Sequence, residues 1–332
     1  MDATLDALYG QQERRGGLGS SNPNVNRWLG DIRTYFPTDT VQLLQRDALD
    51  RLGLKQMLLE PELLETIEPD VHLVGTLLSL KNLLPDRSRE SARAVVMRVV
   101  KELEQKLRRP IEQAIGGRRR QHNRNRRPRA TDIDWDQTIR VNLKHYQPDY
   151  RTVLPVSLRG LSRSNTGLKH VILLVDQSGS MASSVVYAGV LSCILASVPA
   201  LRTHVVAFDT SVVDLTDQLP DPLELLFALQ LGGGTDIGKA LRYAEGLNAS
   251  PRDTVLVLLS DLFEGGSVEG MLAAVRRLQR TGLTFLPLLA LNDEGAPAYD
   301  KEVAARLTEL GLRPFASTPN AFADVLAKAL YG

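Results

Sequence analysis

Asp176-Gln177-Ser178-Gly179-Ser180 sets a carboxylate and two hydroxyls at alternate positions, directly after the apolar run His170-Val-Ile-Leu-Leu-Val175. In an α/β fold, ligands gather at the carboxyl ends of the strands, so these side chains stand where a site would form. Two later segments supply oxygens of the same kind: Gly232-Gly-Gly-Thr235-Asp236, and Leu258-Leu-Ser260-Asp261 at the end of another apolar run. Carboxylates and hydroxyls are hard ligands, suited to Mg²⁺, Mn²⁺ or Ca²⁺ rather than to zinc or copper. The segments therefore predict a divalent-metal site built from separate loops, with Asp176, Ser178, Ser180, Thr235 and Asp261 as its ligands.

The spacing alone is weak evidence. At roughly 6% usage of each residue type, Asp-x-Ser-x-Ser arises by chance in about one chain in fourteen of this length. Position strengthens it, because the motif follows a buried-strand pattern and is matched by two further oxygen-bearing loops. The competing explanation is that Asp176 and Ser178 cap the next helix. Capping uses neither Ser180 nor the distant Thr235 and Asp261. Gly232, Gly233 and Gly234 lack Cβ atoms, so their loop can bring the Thr235 backbone close to an ion and rearrange between two states. A plain turn before a helix is the alternative there. Asp236 is read as a helix-starting residue rather than a ligand. Asp209 and Glu264 are read as rim groups or ordinary surface charges.

Other chemistries find little support. The five histidines, His72, His122, His145, His170 and His204, are scattered without zinc-like spacing. There is no Gly-x-x-x-x-Gly-Lys-[Ser/Thr] loop for ATP, and Ser178 and Ser180 lie in no Gly-x-Ser-x-Gly elbow. Cys193 is the only cysteine, so an intrachain disulfide is excluded; it reads as a small buried hydrophobe.

These ligands need an α/β scaffold. From Lys169 the pattern alternates strand and helix, which predicts a doubly wound, mostly parallel sheet with helices on both faces. Strands are expected at 170–175, 203–208, 211–215, 254–260, 283–290 and 312–316. Helices are expected at 182–197, 221–229, 236–248, 267–280, 300–310 and 319–330. The short link between the second and third strands predicts one antiparallel edge. Upstream the periodicity is helical, as in Thr40–Leu52, with Pro61 and Pro69 suiting helix starts or turns. The strongest helix is expected from Ser88 to Arg108, with Ala92, Val95, Val96, Val99, Leu103 and Leu107 on one stripe, ending near Pro110 and Gly116-Gly117. Residues 138–143 and 152–158 look strand-like. The resulting division is a short helix and flexible loop (1–26), an α-helical domain (27–115), an Arg-rich linker and joining segment (116–165) and the α/β domain (166–332).

At 332 residues, with 43% hydrophobic and 24% charged residues, the composition is that of a globular protein. No run of 18 or more apolar residues predicts a membrane span, and the acidic start Met1-Asp-Ala-Thr-Leu-Asp6 does not resemble a secretory signal. A cytoplasmic bacterial protein is the expectation. The net charge is +1, yet Arg118 to Arg129 holds seven arginines and no acid, which leaves the remainder at −6. Such a strip can bind phosphate backbones, or serve as a solvated linker or a dock for an acidic partner.

Asp176-x-Ser178-x-Ser180, Thr235 and Asp261 resemble the metal-ion-dependent adhesion site of von Willebrand factor A (VWA) domains, over about residues 166–332. Asp31-Ile-Arg-Thr-Tyr-Phe-Pro37, Leu58-Leu-Glu-Pro-Glu-Leu-Leu64, Asn142-Leu-Lys-His-Tyr146 and Ser260-Asp-Leu-Phe-Glu-Gly-Gly266 resemble bacterial CoxE-like VWA proteins, which are encoded beside MoxR-type AAA+ ATPases. The resemblance implies that Thr235 binds metal directly in one state, while Asp176 and Asp261 act largely through bound water. Ser178 and Ser180 would bind directly through their hydroxyls. Neutral direct ligands leave the ion electron-poor, so its free position favours a carboxylate from another protein. The expectation is a non-enzymatic, Mg²⁺-dependent protein-binding module, an adaptor for a MoxR-type AAA+ ATPase or its client.

Two rivals belong to other classes. Ro-type RNA-binding proteins also join helices to a VWA domain, and the Arg118–Arg129 strip could serve such a role; their helical part is far larger. A Mg²⁺-dependent phosphatase with Asp176 as nucleophile would want a second Asp two residues on, where this chain has Ser178, a poor acid at neutral pH.

Overall fold

In a computed structural model of the chain, the described residues are 34–37, 40, 41, 44, 64, 69–84, 86–122, 124, 125, 128, 130, 133–161, 168–248, 250–291 and 298–331. Alternation decides the architecture of the second half. Along Lys169–Asp176 (β1), Val171, Leu173 and Val175 enter one buried cluster, while Ile172 and Leu174 enter another. A strand buried on both faces must lie inside a sheet covered on both sides.

The sheet has six strands: β1, β2 (Leu201–Phe208), β3 (Val212–Asp214), β4 (Thr254–Leu259), β5 (Thr284–Leu291) and β6 (Phe315–Ser317). Their spatial order is β6-β5-β4-β1-β2-β3, parallel throughout except for the antiparallel β2–β3 edge. The chain leaves β1 toward β2 on one side and returns to place β4 on the other. The order thus reverses between β1 and β4, the place where open α/β sheets bind ligands. All six expected strands are present, displaced by at most a few residues at their ends.

Helices α4 (Ala182–Ala196), α5 (Pro222–Ala228) and α9 (Pro319–Tyr331) cover one face; α6 (Ile237–Leu247), α7 (Val268–Arg280) and α8 (Lys301–Glu309) cover the other. Four begin at a residue whose side chain accepts a first-turn amide: Asp221, Asp236, Ser267 and Asp300. Each such cap contributes about 1 kcal/mol. Two further helices, α1 (Val71–Leu80) and α2 (Asp86–His122), lie outside α4 and α9 and share their buried cluster. Pro69 precedes the Asp70 cap of α1, as expected of a helix start.

This outer layer explains the composition of α4. With the sheet on one side and α1 and α2 on the other, it is apolar all round. The stretch Gly179–Ala196 is accordingly long and apolar enough to cross a membrane, but 61% of it is buried inside the fold.

Three expectations are corrected. Helix α2 does not stop near Pro110; it continues to His122. A proline inside a helix costs roughly 3 kcal/mol. The apolar stripe continues past it through Ile111 and Ile115, at 0% and 1% exposure, and burying each such side chain contributes about 1.5–3 kcal/mol. The strand-like segment 138–143 is instead mostly helix α3 (Trp135–Asn142), capped by Asp134, whose carboxylate accepts from the Gln137 amide at 3.0 Å. Its inward face is polar. Thr138 Oγ1 donates to the Arg159 carbonyl at 3.1 Å, and Asn142 exchanges hydrogen bonds with the Ser157 backbone at 2.7 and 3.0 Å. Trp135, Ile139 and Leu143 are left exposed. Within 152–158 only Thr152–Val153 forms a strand, paired with Tyr146–Gln147.

The expected loop at 10–26, the turn at Pro61, most of the Thr40–Leu52 helix and the side chains of Arg118–Arg129 lie outside the described residues.

Candidate metal centre

Strand register brings the first two loops together. Val175 on β1 is level with Leu259 on β4, so both chains leave the sheet side by side at Asp176 and Ser260. Ser260 Oγ donates to Asp176 Oδ2 at 2.7 Å and accepts the Leu262 amide at 3.0 Å. Asp176 Oδ1 accepts the Ser178 amide at 2.9 Å and the Thr235 hydroxyl at 3.5 Å. On the outer side, the Ser178 and Ser180 hydroxyls lie 3.3 Å apart, and Ser180 Oγ donates to Asp261 Oδ2 at 2.5 Å. All five sequence-predicted residues therefore meet at the β1–β4 switch point.

The helix-capping alternative does not describe these groups. Neither the turn Gly179–Met181 nor α4 has a side-chain cap, so the Ser178 and Ser180 hydroxyls are not spent on helix amides.

The third loop is held by glycines. Gly232 and Gly233 take φ of 117° and 106°, left-handed values that a side chain would strain. Gly265 donates to the Thr235 carbonyl at 2.8 Å, and a Cβ on Gly265 would stand 2.8 Å from that oxygen. Close approach of the Thr235 and Gly265 loops thus needs glycine. Asp236 caps α6 by accepting the Lys239 amide at 2.7 Å, the expected helix-starting role. Glu264 accepts the Ile237 amide at 2.7 Å and the Gly266 amide at 3.1 Å, which fixes it as a brace between loops. Asp209 folds onto its own turn, accepting the Ser211 hydroxyl at 2.7 Å.

Burial is graded across the site. Asp176, Ser260, Asp261 and Thr235 are 0%, 0%, 3% and 8% exposed, whereas Ser180 is exposed. Two carboxylates thus form the floor and a hydroxyl the rim. Burial pushes the Asp176 carboxyl above the ordinary aspartate range; bonds from Ser260 and Ser178 pull it back, and the nearby Asp261 charge pushes it up again. Among the described residues, no Lys or Arg forms an ion pair with either carboxylate, and no three of His, Cys, Asp and Glu gather as a metal-binding group. The donor set is two carboxylates and three hydroxyls, all oxygen. Such a set fits a hard divalent cation that keeps some of its water, and the cation would offset the two facing charges.

Two contributors escaped the sequence reading. Ser260 was visible as the residue before Asp261, but its bond to Asp176 depends on strand register. Gln177, 3% exposed, sits between Asp176 and Ser178; its side-chain oxygen accepts the Gln230 amide and its carbonyl accepts the Gly232 amide at 2.8 Å. No local signal in the sequence marks it.

Comparison with known proteins bears on the family. The family described as VWA domain containing CoxE-like protein matches residues 103–326. YehP, an uncharacterized protein of Escherichia coli (strain K12), is 37% identical over 339 residues, covering 99% of this chain and 90% of that protein. Solved structures overlap more loosely. An aerotolerance-related membrane protein from Bacteroides fragilis NCTC 9343 is 18% identical, covering 49% of this chain and 98% of that one at a TM-score of 0.37. The Ro (RSR) protein of Deinococcus radiodurans is 16% identical, covering 90% of this chain and 59% of that one at 0.34. The family match and the doubly wound sheet lead to one assignment: the chain belongs to the CoxE-like family of VWA-domain proteins.

Proposed function

We propose that this protein is a non-enzymatic, divalent-metal-dependent binding module, acting as an adaptor for a MoxR-type AAA+ ATPase or the client it remodels. The observation that carries the reading is the meeting of Asp176, Ser178, Ser180, Thr235 and Asp261 at the β1–β4 switch point, with the carboxylates beneath and Ser180 open to solvent. In this reading the hydroxyls hold Mg²⁺, or Mn²⁺ or Ca²⁺, and the buried carboxylates balance its charge. An ion held largely by neutral oxygens keeps appetite for one more anionic ligand, so the guest is an acidic side chain of the partner. Family membership supports the interaction module; the ATPase follows from the resemblance to CoxE-like proteins. A cytoplasmic setting accompanies that role.

The phosphatase alternative gains nothing from the geometry, since Ser178 sits where a general acid would be needed. The RNA alternative would rest on the arginine strip, whose side chains lie outside the described residues.

The test is a binding assay with the purified ATPase, with Mg²⁺ and then with EDTA. Binding is expected to need the metal and to be lost in Asp176→Ala and Ser178→Ala while both variants stay folded. Undiminished binding in EDTA would refute the reading.

A further inference from the structure

We propose that Lys81, far from the metal-site loops in sequence, is a positioning residue for them, so that the outer helices set the geometry of the site. The effect on an ion rests on the metal reading above; the mechanical coupling does not.

Lys81 follows α1 directly. Its ammonium reaches across to the end of α5, donating to the Phe227 carbonyl at 2.7 Å and also to the Leu229 carbonyl. These are carbonyls of the kind a helix leaves without partners at its C-terminus, and a cation there is favoured by the helix dipole. Arg93 of α2 adds a second tie to α5, pairing with Glu224 and lying 5.1 Å from the centre of the Phe227 ring.

The next residue continues the chain of contacts. Gln230 donates its amide to the Gln177 side-chain oxygen, and Gly232 donates to the Gln177 carbonyl at 2.8 Å. The Gln177 amide donates to Phe208 at the end of β2 at 3.0 Å. Gln177 is thus clamped between β2 and the segment 230–232, with Asp176 on one side of it and Ser178 on the other. The same segment runs on through Gly232 and Gly233, both at positive φ, to Thr235. Glycines at positive φ restrain that loop little by themselves, so its two anchored ends decide where it lies. Downstream, Gly265 donates to the Thr235 carbonyl and the Asp236 amide donates to the Asp209 carbonyl; upstream, the anchor is the end of α5, held by Lys81.

A structural cap would stabilise the whole protein evenly, whereas a positioning residue acts on these loops selectively. Hydrogen exchange resolved to single amides distinguishes them, in the full chain carrying Lys81→Met or Lys81→Arg. Met removes the donor; Arg retains a cation able to donate to two carbonyls. In Lys81→Met the Gln230 and Gly232 amides are expected to exchange at least tenfold faster, while Leu173 and Leu174 in β1 keep their protection. Lys81→Arg should restore most of the difference. Mn²⁺ affinity, read by the paramagnetic signal of the free ion, should fall about fivefold in the Met variant and recover in the Arg variant. Unchanged exchange at Gln230 and Gly232, or an equal acceleration in β1, overturns the proposal. If the unaltered protein takes up no Mn²⁺, the metal reading fails alone and the amides still decide the coupling.

Discussion

Ser260 Oγ donates to Asp176 Oδ2 at 2.7 Å, joining the two strand ends on either side of the point where the strand order reverses. The same oxygen accepts the Leu262 amide, and Leu262 has a φ of 66°, uncommon for a side-chain-bearing residue. One buried hydroxyl therefore satisfies a carboxylate and a strained turn together. Ser260→Ala should lose about 1–3 kcal/mol, because it leaves both buried groups without that partner. Urea unfolding checks this through a lower midpoint at unchanged slope; a wild-type midpoint would show that the bond carries no weight.

Asp176 and Asp261 place two largely buried carboxylates in one site without a basic partner among the described residues. Asp261→Asn removes one charge and keeps an oxygen for Ser180, so without metal its melting temperature should equal or exceed that of the unaltered protein. With Mg²⁺ the order should reverse. An ion at one hundred times its dissociation constant adds about 2.7 kcal/mol to a protein that binds it, and the variant should gain little of that. Thermal melts with and without Mg²⁺ check the crossover, and a full Mg²⁺ gain in the variant would contradict it.

Proton and metal should also compete for Asp176. Its folded titration point is raised, mainly by burial, so the native state holds a proton more tightly than the unfolded chain does. Without metal, this group then favours folding at acid pH, and that contribution is lost as pH rises through the folded titration point. Mg²⁺ binding should run the other way. The Mg²⁺-induced rise in melting temperature should shrink as pH falls through the range where Asp176 protonates, above that of an ordinary aspartate. A rise independent of pH throughout the acid range would contradict this.

Cys193 offers a probe of α4, on which it is half-buried against the core rather than fully buried as its apolar neighbours suggest. Burial pushes its thiol up to about 12, with smaller contributions from Glu104 and Asp221. From the ordinary thiol value of 9.0, this lowers the reactive thiolate roughly a thousandfold at neutral pH. Iodoacetamide at pH 8 should label the folded protein very slowly and the urea-unfolded protein fully, as read by intact mass. Labelling of the folded protein at the free-thiol rate would show an open core.

Ile111, fully buried, belongs to the cluster that α2 shares with α4, α9 and the sheet. Ile111→Ala should cost about 2–5 kcal/mol. Because the core is continuous, the loss should appear as one shifted transition for the whole protein. Two transitions, the later one at the original midpoint, would show that the outer helices fold separately.

The α/β half was legible because buried strands and amphipathic helices leave opposite periods in the sequence. Asp176, Ser178, Ser180, Thr235 and Asp261 were legible because oxygen-bearing residues at strand ends stand out against apolar runs. What failed was decided by packing. Pro110 reads as a helix stop locally, yet Ile111 and Ile115 have core to fill beyond it. Thr138 and Asn142 make 138–143 look like an alternating strand, until the backbone of Ser157 and Arg159 is seen to take up their polar groups. Ser260 and Gln177 were missed for the same reason, since each acts through a partner distant in sequence.

Calorimetric titration of Mg²⁺, and separately Mn²⁺, into the unaltered protein and into Asp176→Ala probes the metal centre most directly. One ion per chain should bind saturably to the unaltered protein and none to the variant, while the far-ultraviolet dichroism of the two proteins stays the same. Equal binding by both proteins, or none by the unaltered one, would contradict the metal reading.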